Sequence, residues 1–157
     1  MEIKNFNLDE IDFKVIASLM EQGRMTWSEL GVILNLSAPA AADRVRRLED
    51  RGVIKGYTAV VDPAAVRFEV LAFIYITLQH PDDRLHFLQQ VLELPEVLEC
   101  HHVAGEEDYL LKVRCARIKD LEHLVSEVIK GVTGVARTKT TIVLSTAKET
   151  SLLPLRF

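Results

Sequence analysis

The sequence predicts an α+β protein in two parts: three short helices, a linker strand, and then a βαββαβ succession of strands and helices. Three observations carry this. Asp9 with Asp12 and Thr26 with Glu29 each have the spacing of a helix capping box. Val70 to Leu78 (VLAFIYITL) is nearly all apolar and rich in β-branched and aromatic residues. Between them, at Asp62-Pro63, the apolar rhythm changes, which puts the boundary between residues 1–62 and residues 63–157.

The chain has 157 residues, of which 48% are apolar, enough for a sizeable core and against wholesale disorder. No apolar run approaches the ~18 residues of a membrane span, so no membrane partner is expected. The opening MEIKNFNLDE reads as neither a signal nor a transit peptide. Two cysteines without an export signal suit a reducing cytoplasm and no disulfide framework.

The first helix is expected over Asn7 to Gly23. Asp9 is its N-cap, Leu8 and Phe13 form a hydrophobic staple, and Ile11, Val15, Ile16 and Leu19 make the buried stripe. Thr26 opens a second, short helix with Leu30, Ile33 and Leu34 inward. Asn35-Leu36-Ser37 is a tight junction to the third, where Ser37 is the N-cap and Pro39 sits in the first turn. On that helix Ala41, Val45 and Leu48 share the core side. Ala40, Arg44, Arg47 and Arg51 follow the opposite side, with Asp43 beside them, and Gly52 stops it. Three helices joined by short turns, the last with a basic outer stripe, form a helix-turn-helix whose third helix suits a DNA major groove.

The net charge of −4 hides this locality: Ser37 to Tyr57 holds five bases against three acids, and charge acts within a Debye length of ~8–10 Å. Val53 to Val61 is expected as a strand, and Pro63 to Arg67 as a linker.

The second part begins with the Val70–Leu78 strand, apolar enough to be buried on both faces. A helix over Asp83 to Leu92 points Leu85, Leu88 and Leu92 inward. Strands follow over Val97 to Val103 and Tyr109 to Cys115, then a helix over Ile118 to Lys130 and a last strand over Val135 to Ser145. The order is that of a ferredoxin-like domain, an antiparallel sheet with both helices on one face. The open face carries apolar residues and needs a partner, most economically a second copy of the chain.

Cys100-His101-His102, with Cys115, invites a zinc reading. A strand, however, turns His101 away from its neighbours and leaves two ligands where a structural zinc wants four, so no metal is expected. The acidic turn Glu106-Glu107-Asp108 fits a solvated turn, acid–base residues or a divalent-ion site; with Gly105 beside it, its carboxylates and open backbone amides suit a zwitterion's ammonium group, the favoured reading. No nucleotide-binding glycine pattern and no nucleophile elbow is present, so neither a cofactor nor catalysis is expected.

Several runs resemble the Lrp/AsnC (leucine-responsive regulator / asparagine-synthesis regulator) family of transcription factors. They are Leu8-Asp9-x-x-Asp12, Leu36-Ser37, Arg44-Val45-Arg46-Arg47-Leu48-Glu49-x-x-Gly52-x-Ile54-x-Gly56-Tyr57, Glu99-Cys100-His101 and Gly105-x-x-Asp108-Tyr109-Leu110-Leu111-Lys112. The resemblance runs from about Leu8 to Leu144. It implies a winged-helix-like DNA-binding part and a ferredoxin-like part for oligomerisation and amino-acid sensing. It also implies dimers that assemble further into tetramers or octamers, with an amino-acid effector between dimers, in the cytoplasm and on the nucleoid.

The DNA-binding residues expected are Ser37, Ala38, Pro39, Ala40, Asp43, Arg44, Arg47, Arg51 and Lys55. The first four offer few side-chain hydrogen bonds, which suits a degenerate site read partly through DNA bending. The effector residues implied are His102, Gly105, Glu106, Asp108, Ile118, Thr138, Thr140 and Ile142. Asp108 would hold the ammonium, the threonines and backbone amides the carboxylate, and His102, Ile118 and Ile142 the side chain. Glu106 departs from the family's usual Asp by one methylene, and His102 from its usual apolar residue, which suits a polar ligand better than a leucine-like one.

Two other functions fit the same sequence. One is an effector-blind architectural DNA binder. The other is an enzyme like the sirohaem decarboxylases, which resemble this family, with His101 and His102 as candidate catalytic residues.

Overall fold

The structure, a computed structural model, describes residues 6–155. Residues 6–60 and 149–155 form one compact unit, and residues 61–148 a second. The terminal segment from Glu149, which the sequence reading groups with residues 63–157, belongs to the first unit by its contacts.

In the first unit, helices α1 (Glu10–Glu21), α2 (Trp27–Leu34) and α3 (Ala38–Asp50) follow one another. Each starts where a side chain satisfies amides that a helix end leaves orphaned. Asp9 and Asp12 form a reciprocal box, as do Thr26 and Glu29, and Ser37 Oγ accepts from Ala40 N at 3.4 Å. The core is Val15, Leu19, Leu30, Leu34, Ala41, Val45 and Leu48. Ile33, expected inward, is 53% exposed. α2 is only two turns long, and Leu30 and Leu34, one turn apart, already fill its buried face.

The α2–α3 turn depends on two backbone positions. Asn35 closes α2 in the left-handed region at φ 55°, a conformation Asn tolerates better than most residues. Leu36 N then donates to Gly31 O at 2.8 Å. The approach is so close that a Cβ on Gly31 would lie 2.7 Å from Leu36 O.

Residues 53–61, expected as a strand, form none: 53 and 54 are a bend, and none of 53–61 joins a sheet among the described residues. A strand needs a neighbour to take its backbone groups, and Tyr57 to Val61 are exposed instead.

The second unit is a four-stranded antiparallel sheet in the order β2-β3-β1-β4, with β1 Val70–Leu78, β2 Val97–His102, β3 Tyr109–Cys115 and β4 Val135–Ile142. Helix α4 (Arg84–Val91) follows a 3-10 turn over Pro81–Asp83. Helix α5 begins over Ile118–His123 and continues as a π-helix over Leu124–Ile129. That wider winding carries Lys130 N back to Val125 O at 3.1 Å.

The core lies between helices and sheet, with Phe87, Tyr109, Ile74, Ile76, Leu111 and Ile129 among its largest members. β1 is not buried on both faces. Ala72, Ile74 and Ile76 are fully buried, whereas Phe73, Tyr75 and Thr77 are only half-buried, because helices cover one face alone. α4 is rotated from its expected phase: Phe87 and Val91 are buried, and Leu85 and Leu92 are 73% and 61% exposed. Two apolar stripes overlap on this helix, and the one with the large aromatic ring takes the core.

Candidate functional site

α3 presents its outer face to solvent because Ala41, Val45 and Leu48 fix its inner one. Of the nine residues expected at DNA, Ser37 caps the helix, Pro39 is exposed, and Ala38, Ala40 and Asp43 are half-exposed along its first two turns. Arg47 is 69% exposed and pairs with Asp43 one turn back at 2.8 Å. Lys55 is exposed. Arg51 is exposed and donates through Nη2 to Asn7 O at 3.1 Å.

Arg44 stands differently from the free basic stripe expected of it. Its Nη1 lies 2.6 Å from Asp9 Oδ2 and 2.9 Å from Asp12 Oδ1, and its side chain is 30% exposed. The carboxylates raise the guanidinium's pKa, and the Asp12 amide, followed by Arg44, holds the Asp9 carboxyl below its ordinary value. The first task of this arginine is therefore to fasten α3 to the start of α1.

Arg46, which helical phase alone does not single out, is exposed and makes no ion pair among the described residues. Tyr57 Oη donates to Glu49 Oε1 at 2.9 Å and ties the chain back to the end of α3. Burial, and then that hydrogen bond, push its hydroxyl up to about 12.

The eight residues implied for the effector do not converge within one chain. Cross-strand neighbours share a face, and the register places His102, Tyr109, Ile76 and Thr138 in one row on the helix-covered side. That row runs from edge strand β2 to edge strand β4, about 14 Å at ~4.8 Å per strand. His102 and Asp108 are at one edge, where they line a pocket of about 300 Å³ together with His80, Arg84 and Tyr109. Thr138, Thr140 and Ile142 climb the other edge, and Ile118 stands exposed at the start of α5.

Gly105 and Glu106 are exposed in the turn before β3, and a Cβ on Gly105 would meet nothing within 4 Å. Asp108 is the best held of the set. Its Oδ2 accepts from Leu78 N at 2.8 Å, its amide donates to Ile76 O at 2.8 Å, and its carbonyl accepts from Val103 N at 3.0 Å. His80 and Arg84 escape the sequence reading because a loop and a helix start bring them here, with no local motif to mark them.

Cys100 lies opposite Leu111, His102 opposite Tyr109, and Cys115 opposite Val70 at the far end of β3. The zinc-like residues are thus strung along two strands. Among the described residues no three of His, Cys, Asp and Glu gather as metal ligands. No helix among them is long and apolar enough to cross a membrane.

A capped reading helix with an open basic face, joined in one chain to a sheet domain with a small polar pocket, defines a ligand-responsive DNA-binding regulator. Residues 8–55 match the model of a winged helix-turn-helix DNA-binding domain, and residues 71–153 match the Lrp/AsnC ligand binding domain. The chain belongs to the Lrp/AsnC family of transcriptional regulators.

It is 41% identical to the HTH-type transcriptional regulator LrpA of Mycobacterium tuberculosis, over 90% of this chain and 93% of that one. It is 36% identical to the leucine-responsive regulatory protein of Escherichia coli, over 96% and 93% respectively. Among solved structures, a transcriptional regulator of Neisseria meningitidis in complex with L-methionine superimposes with a TM-score of 0.89 at 34% identity, over 94% of this chain and 96% of that one. A feast or famine regulatory protein of M. tuberculosis, complexed with L-methionine, does so with a TM-score of 0.86 at 40% identity, over 93% and 98%.

Proposed function

We propose that this chain binds duplex DNA through α3 as a homo-oligomer, and that a small amino acid tunes that binding. The observation that carries the DNA part is the pairing of a fully packed inner face on α3 with an outer face that leaves Arg46 and Arg47 to solvent. Ser37, Ala38, Pro39, Ala40 and Asp43 lie along the base edges in this reading. Arg46, Arg47, Arg51 and Lys55 meet phosphates, and Arg44 serves mainly to hold α3 in place. Affinity then falls with salt, with a log–log slope of about −0.9 per phosphate contact. Titrating a labelled duplex from the chain's own upstream region at several salt concentrations tests it. Equal indifference to that duplex and to a random one at low salt would end the proposal.

The half-exposed Phe73, Tyr75 and Leu110 on the sheet's open face, and the exposed Val60, Val61, Val66 and Phe68, support a second copy as partner. The split of the effector residues between two sheet edges supports a ligand held where copies meet. Dimers that assemble to tetramers or octamers fit this arrangement, and action in the cytoplasm, on the nucleoid, follows from DNA as the target. L-Methionine, bound in the two similar structures, is the first effector to try.

A catalytic role for His101 and His102 is not part of this reading. His101 faces the open side of the sheet and pairs with Glu99 at 3.0 Å, whereas His102 packs on Tyr109 on the helix side. A sirohaem titration without absorbance change is the expected result.

A second reading, DNA binding with no effector, draws on Glu106, exposed in its turn and one methylene longer than the family's usual Asp. In that reading Asp108→Ala leaves DNA binding and assembly untouched at every amino-acid concentration.

A further inference from the structure

We propose that Asp43 is the specificity-determining residue of α3, its carboxylate accepting from the exocyclic amine of a cytosine in the major groove. The inference rests on the DNA-binding reading above and names a base for it to read.

In a helix-turn-helix the first turns of the reading helix are the part that meets base edges. Along residues 37–43 of this chain almost nothing is able to hydrogen-bond there. Ala38, Pro39, Ala40, Ala41 and Ala42 have no polar side-chain atom. The Ser37 oxygen is committed to the helix cap, where it accepts from Ala40 N at 3.4 Å. Asp43 is what remains. Buried Ala41, Val45 and Leu48 mark the core side of α3. At 3.6 residues per turn Asp43 stands almost diametrically opposite them, with Arg46 and Arg47 on either side of its line.

Nothing in the fold requires an acid at this place. Ser37, not Asp43, caps the helix, and the one partner of Asp43 among the described residues is Arg47, whose Nη2 lies 2.8 Å away. Both side chains are half-exposed or more, and a pair of that kind contributes little to stability. Asp9 and Asp12, the acids that fasten α3 to α1, are on Arg44 instead. A face that only gripped phosphates would bind better with a neutral side chain here, since a carboxylate repels them.

An ionised carboxylate only accepts hydrogen bonds. In the major groove guanine and thymine oppose it with acceptors, and adenine sets N7 beside its amine, whereas cytosine presents an amine alone. On a cytosine, Arg47 turns to a phosphate and the amine takes its place beside Asp43. On any other base the carboxylate stays unpaired, at a cost in affinity, so Asp43 discriminates chiefly by weakening the wrong complexes.

The test is selection from a random duplex library by the intact protein and by Asp43→Ala, Asp43→Asn and Arg47→Ala. Anisotropy titrations of a selected duplex, and of copies with single base pairs exchanged, follow. Thermal unfolding checks that the variants fold. The native chain should select a cytosine at one fixed position, and exchanging that pair for T·A should weaken binding by about fivefold or more. Asp43→Ala should bind the two duplexes within about twofold of each other and hold random duplex more tightly than the native chain does. Asp43→Asn should move the preference to adenine, which an amide pairs through two hydrogen bonds. Arg47→Ala should weaken both duplexes alike and keep the cytosine preference. A folded Asp43→Ala with the native preference at every position would overturn the role of Asp43 and leave DNA binding standing. So would an Arg47→Ala that lost the cytosine preference, because Asp43 would then act only through Arg47. A native chain that binds no duplex would overturn both.

Discussion

Arg44 Nη1 lies 2.9 Å from Asp12 Oδ1, and that carboxylate is 8% exposed, the single buried charge among the described residues. It ties the helix meant for DNA to the helix that starts the chain. Truncating the arginine leaves a buried carboxylate without its cation, a cost of about 1–3 kcal/mol. Arg44→Ala should therefore lower the melting temperature by several degrees. Asp12→Ala should do likewise, and the double variant should lose less than the sum. Strict additivity would show that the pair is not coupled.

Arg47 separates binding from stability. Its pair with Asp43 is exposed at 69% and 49%, and such pairs contribute little to folding. Arg47→Ala should leave the melting temperature within about a degree while weakening DNA binding and reducing the salt slope by about 0.9. An unchanged slope would take Arg47 off the phosphates.

Gly31 tests the turn. A methyl group there meets Leu36 O at 2.7 Å, a backbone atom that cannot step aside alone. Gly31→Ala should destabilise the first unit by about 1–3 kcal/mol, the usual cost of overpacking. DNA affinity should fall with it. A melting temperature equal to the native one would mean that α2 and α3 shift apart freely.

Acid should loosen the same region. The Asp9 carboxyl is held below its ordinary 3.8, first by the Asp12 amide and then by Arg44. The folded chain therefore gives up this proton more readily than the unfolded one. The stabilisation is complete above the unfolded value of 3.8 and is lost as pH falls through the lower folded value. Asp9→Asn should flatten the fall in melting temperature between about pH 5 and about pH 2. An acid limb as steep as the native one would assign the effect to other carboxylates.

Helix starts were legible in the sequence because a cap is local: Asp9, Thr26 and Ser37 each bond within three residues. The extent of β1 and β3 was legible for the same reason, from uninterrupted runs between turn residues. The fate of Arg44 was not, since its partners lie 35 and 32 residues away and a helical wheel cannot tell a paired arginine from a free one. Nor was the phase of α4, where Leu85-Leu88-Leu92 and Phe87-Leu88-Val91 are both valid stripes. Arg84 and His80 were invisible as pocket residues because only the return of β3 beside β1 brings Asp108 to them.

The measurement that bears most directly on the central claim is the DNA affinity of the intact chain, by fluorescence anisotropy on its own upstream duplex, with and without each amino acid at ~10 mM. Binding that couples the two sites must change affinity at both. The account predicts that at least one amino acid shifts the dissociation constant by about fivefold or more, and that Asp108→Ala abolishes the shift. The same dissociation constant with every amino acid, at full DNA affinity, would contradict it and leave a DNA-binding protein without an amino-acid effector.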